Sequence, residues 1–309
     1  MNNNTSLKPT AFVVAVALLA ATAQTVAHAE EAAPNADKRA INLAVQRDAK
    51  GNQSTAVAGS LPVGSSAWVQ AGVGQSRNRD EAAGTTSKPK QVALGGGVAG
   101  KQWQASVNAS QRRDGSALRQ NDLAAAVDFK PMDGVNVGLD ATKRNARARG
   151  TVASSNGGAP TAVEQRLKGH GVGVHGAVNI TPRVTVYGAT MHNKYSSTTT
   201  TQQAGGGSGG LLSNVLLGGN RVSVVNRDEA ALDRSHQLGA TYRVSDHVAL
   251  NGEVSQDRLH DGGTLRSVQL KAAIAAGNSG WTFTPGIGRS RASTGESVNY
   301  GSVGASFAW

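Results

Sequence analysis

The chain has 309 residues, a formal net charge of +11, 39 glycines, aromatic residues at only 4% and no cysteine. The missing cysteines exclude a disulfide-stapled secreted scaffold, and glycines without a three-residue period exclude a collagen-like repeat. A basic balance of this size points to anionic surroundings, either nucleic acid or a phosphate-bearing surface.

Lys8 precedes an apolar run from Ala11 to Ala21, and Ala27, His28 and Ala29 form a small-x-small cleavage site before Glu30. This is the layout of a secretory signal peptide, with an apolar core too short for a transmembrane anchor helix. Residues 1–29 are therefore expected to be a signal peptide, residues 30–37 a periplasmic N-terminal segment, and residues 38–309 one β domain. No later apolar run reaches the ~20 residues of a helical membrane span.

Past residue 38 the dominant period is two. Trp103, Ala105, Val107 and Ala109 fall on one face of an extended chain, with Gln104, Ser106, Asn108 and Ser110 on the other. Val135, Val137, Leu139 and Ala141 alternate in the same way, as do Val248, Leu250 and Val254, then Val268, Leu270 and Ile274, then Trp281, Phe283 and Ile287. Strands are predicted near 38–48, 52–61, 66–77, 89–99, 102–112, 117–129, 134–147, 163–179, 183–196, 232–244, 247–258, 264–275, 280–291 and 296–309. Most of them suit the ~9–11 residues of a tilted transmembrane strand plus an overhang better than the ~5–6 of a soluble sheet.

Connections also alternate. Short turns fall at 62–65, 100–101, 131–134, 181–182, 245–246 and 277–279, whereas the other connections are mostly longer, near 78–88, 148–162, 197–231 and 259–263, with short ones around Lys50-Gly51 and Gly115. Short turns at one end and long loops at the other predict a transmembrane antiparallel up-and-down β-barrel of about fourteen strands, twelve or sixteen being the alternatives. A secreted soluble sandwich would alternate too, with its apolar face buried on a second sheet. The aromatics favour the barrel: Trp68, Trp103, Phe129, Tyr242, Trp281 and Trp309 all lie next to the short-turn end, as a periplasmic girdle at a membrane interface would.

The last segment, VNYGSVGASFAW, places Val303, Ala305, Phe307 and Trp309 on one face. It resembles the C-terminal β-signal of Gram-negative outer-membrane β-barrel proteins, although Ala305 is smaller than the usual residue there. The resemblance implies an all-β barrel of the porin-like class, insertion by the barrel-assembly machinery, both chain ends on the periplasmic side, and residence in the outer membrane of a Gram-negative bacterium.

Function is then expected in the lumen and at the outer rim. Small polar residues dominate the predicted inner face, with Asp128, Asp140, Arg144, Glu253, Asp257 and Lys271 as charged lumen-lining candidates. Arg77, Arg79, Arg112, Arg113, Arg147, Arg149, Arg289 and Arg291 cluster toward the long-loop end, where they would contact lipopolysaccharide phosphates and form a positive mouth that draws anions. An exported chain with no nucleic-acid motif argues against nucleic acid as the partner. In loop 197–231, Leu211, Leu212, Val215, Leu216 and Leu217 are expected to constrict the lumen or meet a partner.

His236, Asp257, Arg258 and His260 admit an outer-rim hydrolase reading, but no nucleophile motif accompanies them. No enzyme, metal or cofactor is expected. The sequence therefore predicts an outer-membrane channel for small hydrophilic solutes. A surface adhesin or receptor on a structural barrel, or a polysaccharide export pore, are the rivals.

Overall fold

The structure, a computed structural model, describes residues 39–80, 85–115, 117–152, 161–201, 232–260, 262–293, 295 and 297–309. These form β1 (Ala40–Asp48), β2 (Gln53–Val63), β3 (Ala67–Asp80), β4 (Thr85–Ser87), β5 (Lys90–Ala99), β6 (Trp103–Asp114), β7 (Leu118–Met132) and β8 (Val135–Val152). They continue with β9 (Thr161–Thr181), β10 (Val184–Thr201), β11 (Leu232–Ser245), β12 (Val248–Leu259), β13 (Thr264–Ala275), β14 (Trp281–Ala292) and β15 (Ser297–Ala308).

Strand follows strand antiparallel around a ring, and β1 pairs with β15 from Ala40↔Ala308 to Asp48↔Tyr300. The result is a closed fourteen-stranded barrel, with β4 a three-residue spur on the outer end of β3. Closure gives the wall's backbone N–H and C=O groups ladder partners and leaves no edge strand, the condition for a sheet to sit in hydrocarbon.

The period of two sets what each face meets. Val73, Leu139 and Ile287 point outward and are 55%, 63% and 66% exposed, whereas Asp257 and Ser290 point inward and are 0% exposed. In water, an apolar band running round the whole wall would be an aggregation surface. Burial in lipid hydrocarbon resolves it at about 25 cal/mol per Å², and this inverted sorting separates a membrane barrel from a soluble sandwich.

At the short-turn end Gly134 adopts a φ of 75°, which closes the β7–β8 turn at no steric cost. At the opposite end β8, β9 and β10 run to 18, 21 and 18 residues. Ladder pairing continues to Val152↔Thr161 and Thr201↔Val163, so strand occupies parts of the connections expected at 148–162 and 197–231.

Glycine has a packing role on the inner wall. Trp68 lies opposite Gly97, His175 opposite Gly138, Tyr187 opposite Gly239 and Tyr300 opposite Gly288. In each pair the ring occupies the volume that a Cβ on the glycine would need. Large inward rings thus lie flat against the wall on the next strand's glycine.

Candidate channel lumen

The charged side chains expected in the lumen all face inward, and most are held by neighbours. His175 sits between two aspartates: Nδ1 is 2.6 Å from Asp140 Oδ2 and Nε2 is 2.9 Å from Asp128 Oδ1. Asp128↔Gly138↔His175 runs in register across β7, β8 and β9, so the bare glycine lets the ring reach over the middle strand. Gln104 donates to Asp128 at 3.2 Å and Asn136 at 3.3 Å. Ionised carboxylates only accept hydrogen bonds, so both contacts of the His175 ring are made when both of its nitrogens carry protons. It ties three strands together at the short-turn end.

A second constellation centres on Glu253 of β12. Its carboxylate accepts from the Tyr187 hydroxyl at 3.2 Å, from Gln269 Nε2 at 2.8 Å and from Gln237. Tyr187 reaches it from β10 by lying across Gly239 of β11, and Asn251 Nδ2 donates to the Tyr187 oxygen at 2.9 Å. Arg144 forms a two-pronged pair with Asp122, at 2.8 and 3.1 Å. Asp257 accepts from Ser235 Oγ at 2.7 Å, and Lys271 lies beside Gly286. His175, Tyr187 and Asp122 are the partners that the sequence did not identify.

Two expectations are corrected. Trp68 does not join the girdle: it is 4% exposed and turned inward onto Gly97. Its strand parity groups it with Gln70 and Gly72 rather than with Val69 and Val73. Arg112 is likewise buried on the inner wall, in parity with Gln104, Ser106 and Asn108, and so cannot meet lipopolysaccharide. The inner wall is also less uniformly polar than expected, since Leu118, Ala146, Ala148 and Leu167 cluster near its long-loop end with Tyr195 against them.

The other girdle aromatics, Trp103, Phe129, Tyr242, Trp281 and Trp309, lie outward and exposed at the short-turn end. Val303, Ala305, Phe307 and Trp309 share the outer face of β15 and its end. Arg77, Arg113, Arg149, Arg289 and Arg291 are exposed on outward faces. Arg147, Arg149 and Arg166 converge on Glu164, the latter two at 3.1 and 2.8 Å. The side chain of Arg79, the segment Leu211–Leu217 and residues 1–38 lie outside the described residues.

Among the described residues of this set, the arginines other than Arg112 therefore face outward. The histidine cluster at the rim is also divided. His236 is outward and 2.9 Å from Thr190 Oγ1, Asp257 is inward, and His260 pairs with Asp233 at 3.0 Å.

No protein-family model and no curated protein matches the sequence. Solved structures do match in fold. The translocator domain of the autotransporter NalP from Neisseria meningitidis is 15% identical, with a TM-score of 0.51, over 92% of this chain and 93% of that one. A FadL homologue of Pseudomonas aeruginosa is 10% identical, with a TM-score of 0.53, over 88% and 90%. The toluene transporter TodX of Pseudomonas putida is 8% identical, with a TM-score of 0.52, over 97% and 95%. A closed wall that is apolar outside and polar inside, shared with these proteins, gives the chain the fold of the outer-membrane β-barrels.

Proposed function

We propose that the protein is an outer-membrane channel for small hydrophilic solutes. One observation carries this reading: the closed wall turns its polar side chains, among them Gln46, Ser54, Asn251 and Ser267, to the inside. Fourteen strands enclose more width than the eight whose side chains fill a small barrel. Export by the signal peptide and insertion by the barrel-assembly machinery through the β15 signal belong to the same reading.

Lipopolysaccharide is the proposed outer-leaflet partner. Val172 and Ala141 end the apolar band on β9 and β8; His170 and Lys168 follow on the outward face of β9, and Lys143, Asn145 and Arg147 on that of β8. That is the level at which lipid phosphates meet basic side chains. Purified protein in planar bilayers is expected to give a steady ohmic conductance. A folded, inserted barrel that carries no current would refute the channel and leave an anchor for extracellular loops.

A further inference from the structure

The outward bases are not spread evenly, and on neighbouring strands β5 to β9 they meet in register. Lys90↔Arg113, Arg113↔Arg119, Arg119↔Arg147 and Arg147↔Arg166 are directly paired positions. Neighbouring strands lie about 4.8 Å apart, so the row runs for roughly 20 Å across the wall. Elsewhere among the described residues the outward pairing of arginine or lysine stops after two: Arg234↔Arg258 ends at Thr264, and Arg266↔Arg291 ends at Ser297. Like charges directly opposite one another destabilise a sheet. Glu164, the one outward carboxylate among the described residues of β5 to β9, pairs with Arg147, Arg149 and Arg166 at one end of the row. The row thus carries more positive charge than the described outward carboxylates balance.

Resting on the lipopolysaccharide reading above, we infer that the row Lys90, Arg113, Arg119, Arg147 and Arg166 is a binding site for the phosphates of a lipopolysaccharide head, and that it holds them without divalent cations. Phosphates gathered at a membrane surface repel one another and need a counter-charge, which divalent cations ordinarily supply. A guanidinium grips phosphate with two parallel hydrogen bonds and keeps its proton, so a fixed row of them can supply that charge instead. Glu164 orients two members of the row and leaves the whole positive. Beneath the row, Val92 and Leu94 of β5, Leu123 of β7, Leu139 of β8 and Val172 of β9 are exposed on the same outward faces, where acyl chains would lie. On β8 and β9 the row stands further from this band, and Lys143, Asn145, Lys168 and His170 occupy the outward positions between. Bases set directly above an apolar face favour a phosphorylated lipid over a soluble anion.

The test is binding of rough lipopolysaccharide to the folded protein in detergent, read by native mass spectrometry in excess EDTA and again with magnesium. Wild type is expected to bind in EDTA, and to bind dephosphorylated lipopolysaccharide about tenfold or more weakly. Arg113→Gln with Arg119→Gln should weaken binding in EDTA by a similar factor. Arg47→Gln with Arg234→Gln, the same charge change on outward faces away from the row, should leave it unchanged. The heat-resistant form on gels confirms that each variant is folded, and the dephosphorylated lipid tests the phosphate contact on wild type alone. Binding that requires magnesium, that ignores the phosphates, or that responds equally to both pairs overturns the site while lipopolysaccharide stands as the partner. Absence of binding under both conditions overturns both readings.

Discussion

Replacing Phe307 and Trp309 together by alanine is expected to abolish assembly of the barrel. β15 is the strand through which the ring closes, since it pairs with β14 on one side and β1 on the other. The Phe307 ring lies 5.0 Å from that of Trp281 and 5.3 Å from that of Trp309. Trp309 exchanges backbone hydrogen bonds with Arg39, at 3.1 and 3.4 Å. Removing both rings forfeits roughly 1.5–3 kcal/mol of apolar burial apiece, at the seam that closes the ring. Yield of the heat-resistant, protease-protected form is the readout, in cells and after refolding into vesicles. A larger loss in cells than in vesicles is expected if these residues also serve the assembly machinery. Wild-type yield in both would show that the terminal aromatics are incidental.

The second large effect is expected at His175. His175→Ala leaves Asp128 of β7 and Asp140 of β8, diagonal neighbours on the inner wall, without their shared partner, and both are nearly buried. Breaking a buried charge arrangement by removing one partner costs about 3–5 kcal/mol. Adding Asp128→Asn and Asp140→Asn to His175→Ala should restore most of that loss, because the buried charges go with it. Denaturant unfolding in detergent or lipid reads the effect. A single variant within about 0.5 kcal/mol of wild type, the scale of a neutral surface change, would remove the strut account.

Alternation made the architecture legible before the fold was known. The strand predicted at 264–275 is β13 residue for residue, and 280–291 is displaced from β14 by one. The spread in β8 to β10 was harder to read, because polar overhang beyond the membrane has no apolar face to mark it. Facing was legible where parity was used and was lost where proximity to a turn replaced it. Trp68 shows this: Ala67, Val69, Ala71 and Val73 define an outer face that excludes it.

Arg112 carries the same lesson, its parity being that of the polar residues before it. Partners were not legible at all. His175 reaches Asp128 on a strand two away, a relation that needs the register of β7, β8 and β9 and a glycine in the middle.

The central claim is that the apolar face of the wall meets lipid and the polar face meets a hydrated interior. The chain has no cysteine, so single nitroxide labels can be placed without a background variant. Outward Phe283 and Ile287 and inward Thr282 and Thr284 of β14 are suited to it, since none carries charge. Paramagnetic relaxation in lipid vesicles by oxygen, which partitions into hydrocarbon, and by a water-soluble nickel chelate then reads each environment. A membrane barrel predicts oxygen-accessible labels at 283 and 287, alternating with chelate-accessible labels at 282 and 284. Labels at 283 and 287 that are shielded from both reagents, as in the core of a soluble sheet, would contradict it.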